Sequence, residues 1–472
     1  MVDTVREKTK WCSVNLSDVI SRGKRLEASV FDVEAKQSRQ IIQNGKYPLT
    51  FIGGDSGLTT SYTGTRFKRI WLKKSDYPIF QPSSITDIKP APDGYISHLT
   101  QTNIDKLRVN KGQILMTCSG TIGKLTYVSS TFDNQIFSHD LLRIDCKKQS
   151  DAGYIYTYLK SKIGNKILLT NSYGAVVTHI EPEHLASVPI PNAPIEIKAK
   201  INNLISRSYE LRDKSNNLID EATSLLINEL HLPSIEEFEQ DDYNSINAFS
   251  IKLSDMKNRA DCSYHIPIVA KIINHLNEYA EEVTTVGDAR ISKNIILAGV
   301  FKRTYVDEEY GYPFLGGKEI TQLNPKTEKF LSKTIHKKRY EKELKVAENM
   351  ILVSDRGTIG TVAIVPKHWN DYAVSQNVLK VIPADIDIAG YLYIYLNSVY
   401  GKVLMQRQTY GSVVDMIDNN SLSAVEMPLL KNKSIQARIN GLALEANEKR
   451  YEAYCLEQEA LKIMDEEVIY AK

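Results

Sequence analysis

Residues 114–128 read Ile-Leu-Met-Thr-Cys-Ser-Gly-Thr-Ile-Gly-Lys-Leu-Thr-Tyr-Val, and residues 351–365 read Ile-Leu-Val-Ser-Asp-Arg-Gly-Thr-Ile-Gly-Thr-Val-Ala-Ile-Val. Seven of the fifteen positions are identical, at an offset of 237. In both, β-rich runs flank a Gly-Thr-Ile-Gly turn, so each reads as strand, tight turn, strand. The same offset matches residues 13–19 with 250–256, 138–143 with 375–380 and 153–159 with 390–396. It also matches Tyr173-Gly174 with Tyr410-Gly411, and Pro191 with Pro428. The chain of 472 residues is therefore two copies of one unit. Over about 30–110 and 265–345 no clear match is found. A shared scaffold with divergent inserts is the pattern of one fold aimed at two targets.

Each copy opens with short strands, and Gly153 to about Leu169 has helical apolar spacing. Each copy closes on a heptad pattern. Ile197, Leu204, Leu211, Leu218 and Leu225 recur every seven residues, beside a column of Ile201, Ser208, Ser215 and Ala222. The second copy has Ile435, Leu442, Lys449, Leu456 and Ile463 beside Ile439, Ala446, Ala453 and Ala460, with the offset now 238. Seven-residue spacing over four heptads is the coiled-coil signal, and small columns let backbones approach closely. Either helix could instead lie on its own domain. The shared register favours an antiparallel pair, residues 197–230 against 435–468, with a globular domain at each end and a pseudo-twofold relation. At ~1.5 Å per residue the first helix spans roughly 50 Å.

The length predicts two to four domains. No apolar run approaches the ~18 residues of a membrane span, and Met1 to Cys12 is polar, without a signal-peptide core. Five scattered cysteines (Cys12, Cys118, Cys146, Cys262, Cys455) fit reduced cytosolic thiols and argue against zinc. A net charge of +2 leaves nucleic acid open, because binding needs a local basic face and not a basic total.

Gly-Thr-Ile-Gly-Lys at 120–124 fails as a phosphate loop, which needs four residues between its glycines and a Ser or Thr after the Lys. There is no GxSxG, no HExxH and no Asp/Asn-Pro-Pro-Tyr/Phe. His179 and His184 lie near Glu181 and Glu183, but the second copy carries Met416 and Ser421 there, so the cluster reads as ordinary polar surface. Basic residues gather in the divergent regions. Arg66-Phe-Lys-Arg-Ile-Trp-Leu-Lys-Lys74 holds five cations in nine residues, interleaved with Phe67 and Trp71. Lys302 and Arg303, then residues 336–339, supply cations in the second copy. Any one cluster could be a solvated face. Two of them, both in divergent regions, favour phosphate anchoring and groove reading.

The order of these elements resembles the specificity subunit of type I DNA restriction–modification enzymes, over nearly the whole chain. The 114–128 block is similar to that family's recurring recognition-domain motif. Trp11 with Leu16-Ser-Asp-Val19 resembles the entry to a first recognition domain, Arg259-Ala-Asp-Cys-Ser-Tyr264 the entry to a second, and Val-Pro-Ile-Pro at 188–191 the lead into a long helix. The resemblance implies an α+β chain: recognition domain 1–193, helix 194–232, recognition domain 233–430, helix 431–472. It implies that each domain reads half of a split site in double-stranded DNA, that the helices set the spacer, and that the chain itself is non-catalytic and cytoplasmic. The implied partners are two adenine methyltransferase subunits using S-adenosylmethionine, with motor–nuclease subunits using ATP and Mg as a further option. This chain would bind no cofactor or metal. Together with the basic clusters, it makes Arg66, Lys68, Arg69, Lys73, Lys74, Ser119, Thr121, Lys124, Lys302, Arg303, Arg356 and Thr358 candidate DNA contacts. Ile197, Leu204, Leu211, Leu218, Ile435, Leu442 and Leu456 become candidate methyltransferase-docking positions. The second copy lacks the Lys of the motif and has Arg356 before its glycine, so its loop contacts differ. A module of another adenine-methylating phage-defence system, a stand-alone DNA-modifying enzyme and a coiled-coil scaffold remain the alternatives.

Overall fold

A computed structural model describes residues 13–21, 24–26, 28–174, 177–240, 249–256, 259–325, 329–411 and 414–472; Trp11 and Cys12 lie outside them. The chain divides into two compact units. Unit 1 is Met1–Asp213 with Ala453–Lys472, and unit 2 is Lys214–Glu452.

Unit 1 contributes β1 (Thr59–Thr63), β2 (Trp71–Leu72), β3 (Pro78–Phe80), β4 (Gly94–Ile96), β5 (Ile114–Thr117), β6 (Leu125–Tyr127), β7 (Ile136–Phe137) and β8 (Leu141–Cys146). They form two four-stranded sheets, ordered β1-β8-β5-β6 and β2-β4-β3-β7. Unit 2 contributes β9 (Ser292–Ile296), β10 (Tyr305–Val306), β11 (Gly311–Leu315), β12 (Phe330–Ser332), β13 (Ile351–Ser354), β14 (Val362–Ile364), β15 (Ala373–Val374) and β16 (Val378–Pro383). Their orders, β9-β16-β13-β14 and β10-β12-β11-β15, repeat those of unit 1 strand for strand. Even the one parallel pairing recurs, β3 with β7 and β11 with β15. The regions between matched blocks, where no sequence match is found, therefore carry the same sheet. The divergence is in side chains and loop lengths, not in topology.

The β5 strand is buried along its whole length because it divides two cores. Ile114 and Met116 face the helices, while Leu115 faces the space toward the second sheet. In unit 2, Ile351 and Val353 face one way and Leu352 the other. A strand covered on both faces needs a continuous apolar run, and period-two alternation sorts that run between the two cores.

The helix expected over Gly153 to about Leu169 is two, Ala152–Lys160 and Lys162–Leu169. Ser161 breaks it: its Oγ accepts the Gly164 N–H at 3.1 Å and caps the second helix. Ser398 and Gly401 repeat the break at the same distance. Gly153 lets the first of these helices abut the long helix. A Cβ there would lie 2.6 Å from the Asn202 Cα, and the Gly153 N–H donates to Asn202 Oδ1. Gly390 and Asn440 repeat the contact.

The long helices are α1 (Ile195–Glu229) and α2 (Lys433–Ile463), the latter continuing through a π-helical turn to Ile469. They pack antiparallel within each unit. In unit 1, Lys200 meets Glu467 at 3.1 Å and Ser208 Oγ donates to the Ala453 carbonyl at 2.7 Å. In unit 2, Glu221 meets Arg438 at 2.6 Å. The buried seam is the small column, since Ile201, Ser208, Ser215, Ala222, Ile439, Ala446, Ala453 and Ala460 are all fully buried. The leucine column beside it is mostly half-buried.

Candidate nucleic-acid interface

The two basic clusters enter the same edge strand. Phe67-Lys68-Arg69-Ile70-Trp71 leads into β2, and Phe301-Lys302-Arg303-Thr304-Tyr305 leads into β10. The shared pattern is Phe-Lys-Arg, one residue, then an aromatic, at an offset of 234. The 237 offset misses it, because an insertion of three residues shifts the register; aligning the strands recovers it.

In unit 1, Arg66 and Lys68 are exposed, as are Lys73 and Lys74 beyond the strand. The Arg69 guanidinium lies over Phe67 and Trp71, at 5.6 and 5.9 Å from the ring centres, and donates to Ser138 Oγ at 3.0 Å. Trp71 is 50% exposed and seated on Gly94, where any Cβ would meet the indole at 2.7 Å. In unit 2, Lys302 is exposed, Arg303 lies over Phe314 at 5.4 Å, and Arg339 lies over Phe301 at 4.9 Å. Stacking on a ring leaves Arg69 and Arg303 better positioned for a phosphate than a free arm would be, whereas Arg339 is already paired with Glu343 at 2.8 Å.

A histidine flanks the phenylalanine in both units. His139 meets the Phe67 ring edge-on at 6.1 Å, and His336 meets Phe301 at 5.4 Å. Burial lowers the pKa of each imidazole; Arg69 and Arg66 add to this at His139 against the opposing pull of Asp140, and Arg339 adds to it at His336. The histidines come from different elements, so no motif could pair them.

A buried cation under each site is also illegible as function in the sequence. Arg143 on β8 is fully buried, and its guanidinium donates to the carbonyls of Leu107 (3.0 Å) and Phe137 (3.1 Å). Its counterpart Lys380 on β16 donates to the carbonyls of Lys345 (3.1 Å) and Glu343. Burial pushes the Lys380 ammonium down to about 8. Both cations gather backbone carbonyls from separate segments, and Arg143 grips the strand just before residues 138–140.

The glycine turns are built alike. Gly120 and Gly123 have φ of 70° and 82°, and Gly357 and Gly360 have 75° and 85°, the left-handed region that glycine enters freely. Thr117 Oγ1 donates to the Thr121 carbonyl, and Ser354 Oγ to the Thr358 carbonyl, both at 2.6 Å. The turns pin against a neighbouring hairpin through the bridges Ser119–His179 and Arg356–Met416. Thr121 and Thr358 are exposed and Lys124 is half-buried, while Arg356 is paired with Asp355 at 2.9 Å. These are surface turns with no phosphate-loop geometry.

Of the helix positions, Leu211 is buried and Ile197, Leu204, Leu218, Ile435, Leu442 and Leu456 are half-buried. Ile197 and Leu204 pack on the core of unit 1, and Leu218, Ile435 and Leu442 on that of unit 2. Among the described residues no group of His, Cys, Asp and Glu could hold a metal, and no helix is long and apolar enough to cross a membrane.

Comparison with curated proteins finds no match. Solved structures match over nearly the whole chain at low identity. The type I restriction-modification system S subunit from M. genitalium is 13% identical, with 89% of this chain and 96% of that one covered and a TM-score of 0.36. The HsdS subunit from Thermoanaerobacter tengcongensis is 12% identical, with 88% and 98% covered and a TM-score of 0.27. A chain from a type I restriction-modification complex is 14% identical, with 91% and 98% covered and a TM-score of 0.28. The family described as the type I restriction modification DNA specificity domain matches residues 10–223 and 294–440, well over half of the sequence, and the chain belongs to that non-catalytic DNA-specificity family.

Proposed function

We propose that this chain is the sequence-reading subunit of a type I restriction–modification complex, each unit binding one half of a split site in double-stranded DNA. The observation that supports this best is the Phe-Lys-Arg-x-aromatic step, present on the equivalent edge strand of both units. Two copies of one cationic, aromatic-backed step suit two stretches of the same polyanion. Arg66, Lys68, Arg69, Lys73, Lys74, Lys302 and Arg303 anchor phosphates, with Ser119, Thr121, Lys124, Arg356 and Thr358 at the neighbouring glycine turns. The half-buried leucine column on α1 and α2 offers apolar edges to two methyltransferase subunits, and the length of the helices sets the unread spacer. Chemistry belongs to the partners: S-adenosylmethionine to the methyltransferases, ATP and Mg to any motor–nuclease subunit. The complex acts in the cytoplasm, where the DNA is.

The test is salt dependence. Substituting Arg66, Lys68 and Arg69 with Ala in the full chain, with its copurifying subunits, should weaken DNA binding. It should also flatten the plot of log affinity against log salt, by about 0.9 for each phosphate that is no longer neutralised. An unchanged slope would make the cluster ordinary solvated surface.

A further inference from the structure

The two units share one backbone turn that carries two different pairs of side chains. We propose that this turn, Ser138-His139-Asp140 in unit 1 and Ser375-Gln376-Asn377 in unit 2, reads the base edges of each half-site. The inference rests on the DNA-recognition reading above and assigns, within it, the residues that give each half-site its identity.

A part that is the same in both units cannot make them read different sequences. The Phe-Lys-Arg steps are the same, so they serve for anchoring. The glycine turns share their backbone but carry Ser119 and Lys124 in one copy and Arg356 and Thr361 in the other, with Arg356 already paired to Asp355 at 2.9 Å. Trp71 and Tyr305 differ, but a ring face stacks on any base. The 138–140 turn keeps its backbone and changes its chemistry. In both copies the Ser Oγ accepts the N–H two residues on, at 3.3 Å in Asp140 and 3.2 Å in Asn377. In both copies the Ser N–H is held by the neighbouring strand, through the Phe80 carbonyl at 2.9 Å and the Leu315 carbonyl at 2.8 Å. A buried cation follows at the same distance along the chain, Arg143 or Lys380. The platform is constant and rigid, as a reading element requires.

The changed side chains are of groove-reading types. Gln and Asn can each hold adenine through its N6 and N7, and a carboxylate accepts from the amino group of cytosine. The position is next to the anchor, since Arg69 donates to Ser138 Oγ and Phe67 packs against His139. In unit 2 the Asp355 N–H donates to the Asn377 carbonyl at 3.2 Å, joining the turn to the glycine loop. The turn thus adjoins the cationic step in unit 1 and the glycine loop in unit 2. His139 Nδ1, Gln376 Oε1 and Asn377 Oδ1 are buried without a hydrogen-bond partner among the described residues, so each must be uncovered before it meets a base. Asp140 keeps 46% of its side chain exposed, but His139 only 16%, under Phe67 and Arg69.

The test selects bound sequences from randomised duplex DNA with the full chain and its copurifying subunits. H139Q/D140N gives unit 1 the side chains of unit 2. It should change base preference at one or two positions of one half-site, by about 10-fold or more, with the other half and the salt slope unchanged. Q376A/N377A should relax preference in the other half only. H139A and D140A, checked by melting temperature, guard against misfolding and should each relax the first half. Unchanged preferences in folded variants, beside a wild type that selects a split site, would overturn the turn assignment alone. A flattened salt slope with unchanged preference would make the turn an anchor and overturn it as well. A wild type that selects no sequence would overturn the DNA-recognition reading and this inference with it.

Discussion

The Tyr156 phenol donates a 2.6 Å hydrogen bond to Glu457 Oε1, joining residues 301 positions apart. Glu457 sits on the C-terminal half of α2, inside unit 1, and is fully buried. Lys160 lies 2.8 Å from it and Arg212, on α1, 3.2 Å. The Tyr156 hydroxyl in turn accepts from Tyr209 at 3.1 Å. Unit 1 is thus completed by the last residues of the chain. Unit 2 has no counterpart of this acid: Arg450 occupies the position of Arg212, but Ile219 occupies that of Glu457.

Removing that carboxylate should be costly, because it leaves two cations without their shared anion. Glu457→Ala should destabilise unit 1 by roughly 3–5 kcal/mol, the usual range for breaking a buried pair. Urea unfolding followed by hydrogen exchange should show the loss in unit 1 and little change in unit 2. An effect below about 1 kcal/mol would put the network on the level of a surface pair.

The same carboxyl should report on acid. Burial alone would raise its pKa, but Lys160 and Arg212 more than offset this and hold it well below the usual carboxylate range. A depressed acid contributes stability above its unfolded pKa and loses it as pH falls. The stability difference between wild type and Glu457→Gln should therefore shrink between about pH 4.5 and 2. A difference that stayed constant across that interval would contradict the ion pairing.

Lys380 should behave in the opposite sense. Burial lowers its pKa to about 8, below that of a lysine in the unfolded chain. Between pH 8 and about 10.4 the unfolded state holds the extra proton, so this site favours folding more as pH rises. Lys380→Arg copies the cation of unit 1 and stays charged. The wild type should gain about 1–3 kcal/mol on the variant across that window, since each tenfold change in proton affinity is worth ~1.4 kcal/mol. Parallel stability curves for the two proteins would remove the lysine from the account.

Gly153 and Gly390 let short helices touch α1 and α2. Gly390→Ala would place its methyl 2.3 Å from the Asn440 carbonyl oxygen, and Gly153→Ala about as close to Asn202. Each should cost roughly 1–3 kcal/mol, as overpacking does. Thermal melts would show the loss. A neutral Gly390→Ala would mean that the helices part easily.

If the helix pair sets the spacer, adding one heptad to both α1 and α2 lengthens it by ~10 Å at ~1.5 Å per residue. The unread gap in the bound or methylated site should widen by about three base pairs, at ~3.4 Å each. Both half-sites should keep their sequence. A fixed gap would rule out the helices as the ruler.

The sequence by itself determined the duplication, the glycine turns and the heptad columns, because each is written in neighbouring residues. A Gly-Thr-Ile-Gly turn needs left-handed backbone within four positions, and the paired heptad columns declare themselves by spacing alone. The tertiary structure alone decided that the seam is the small column while the leucines stay half-buried at its edge, since that depends on which face meets the partner helix. It alone revealed the second Phe-Lys-Arg step, because three inserted residues hide it in sequence and hydrogen-bonded strands restore it. It alone placed His139 against Phe67 and Glu457 against Tyr156. Such contacts depend on where distant segments of the backbone come to rest, and no local pattern records that.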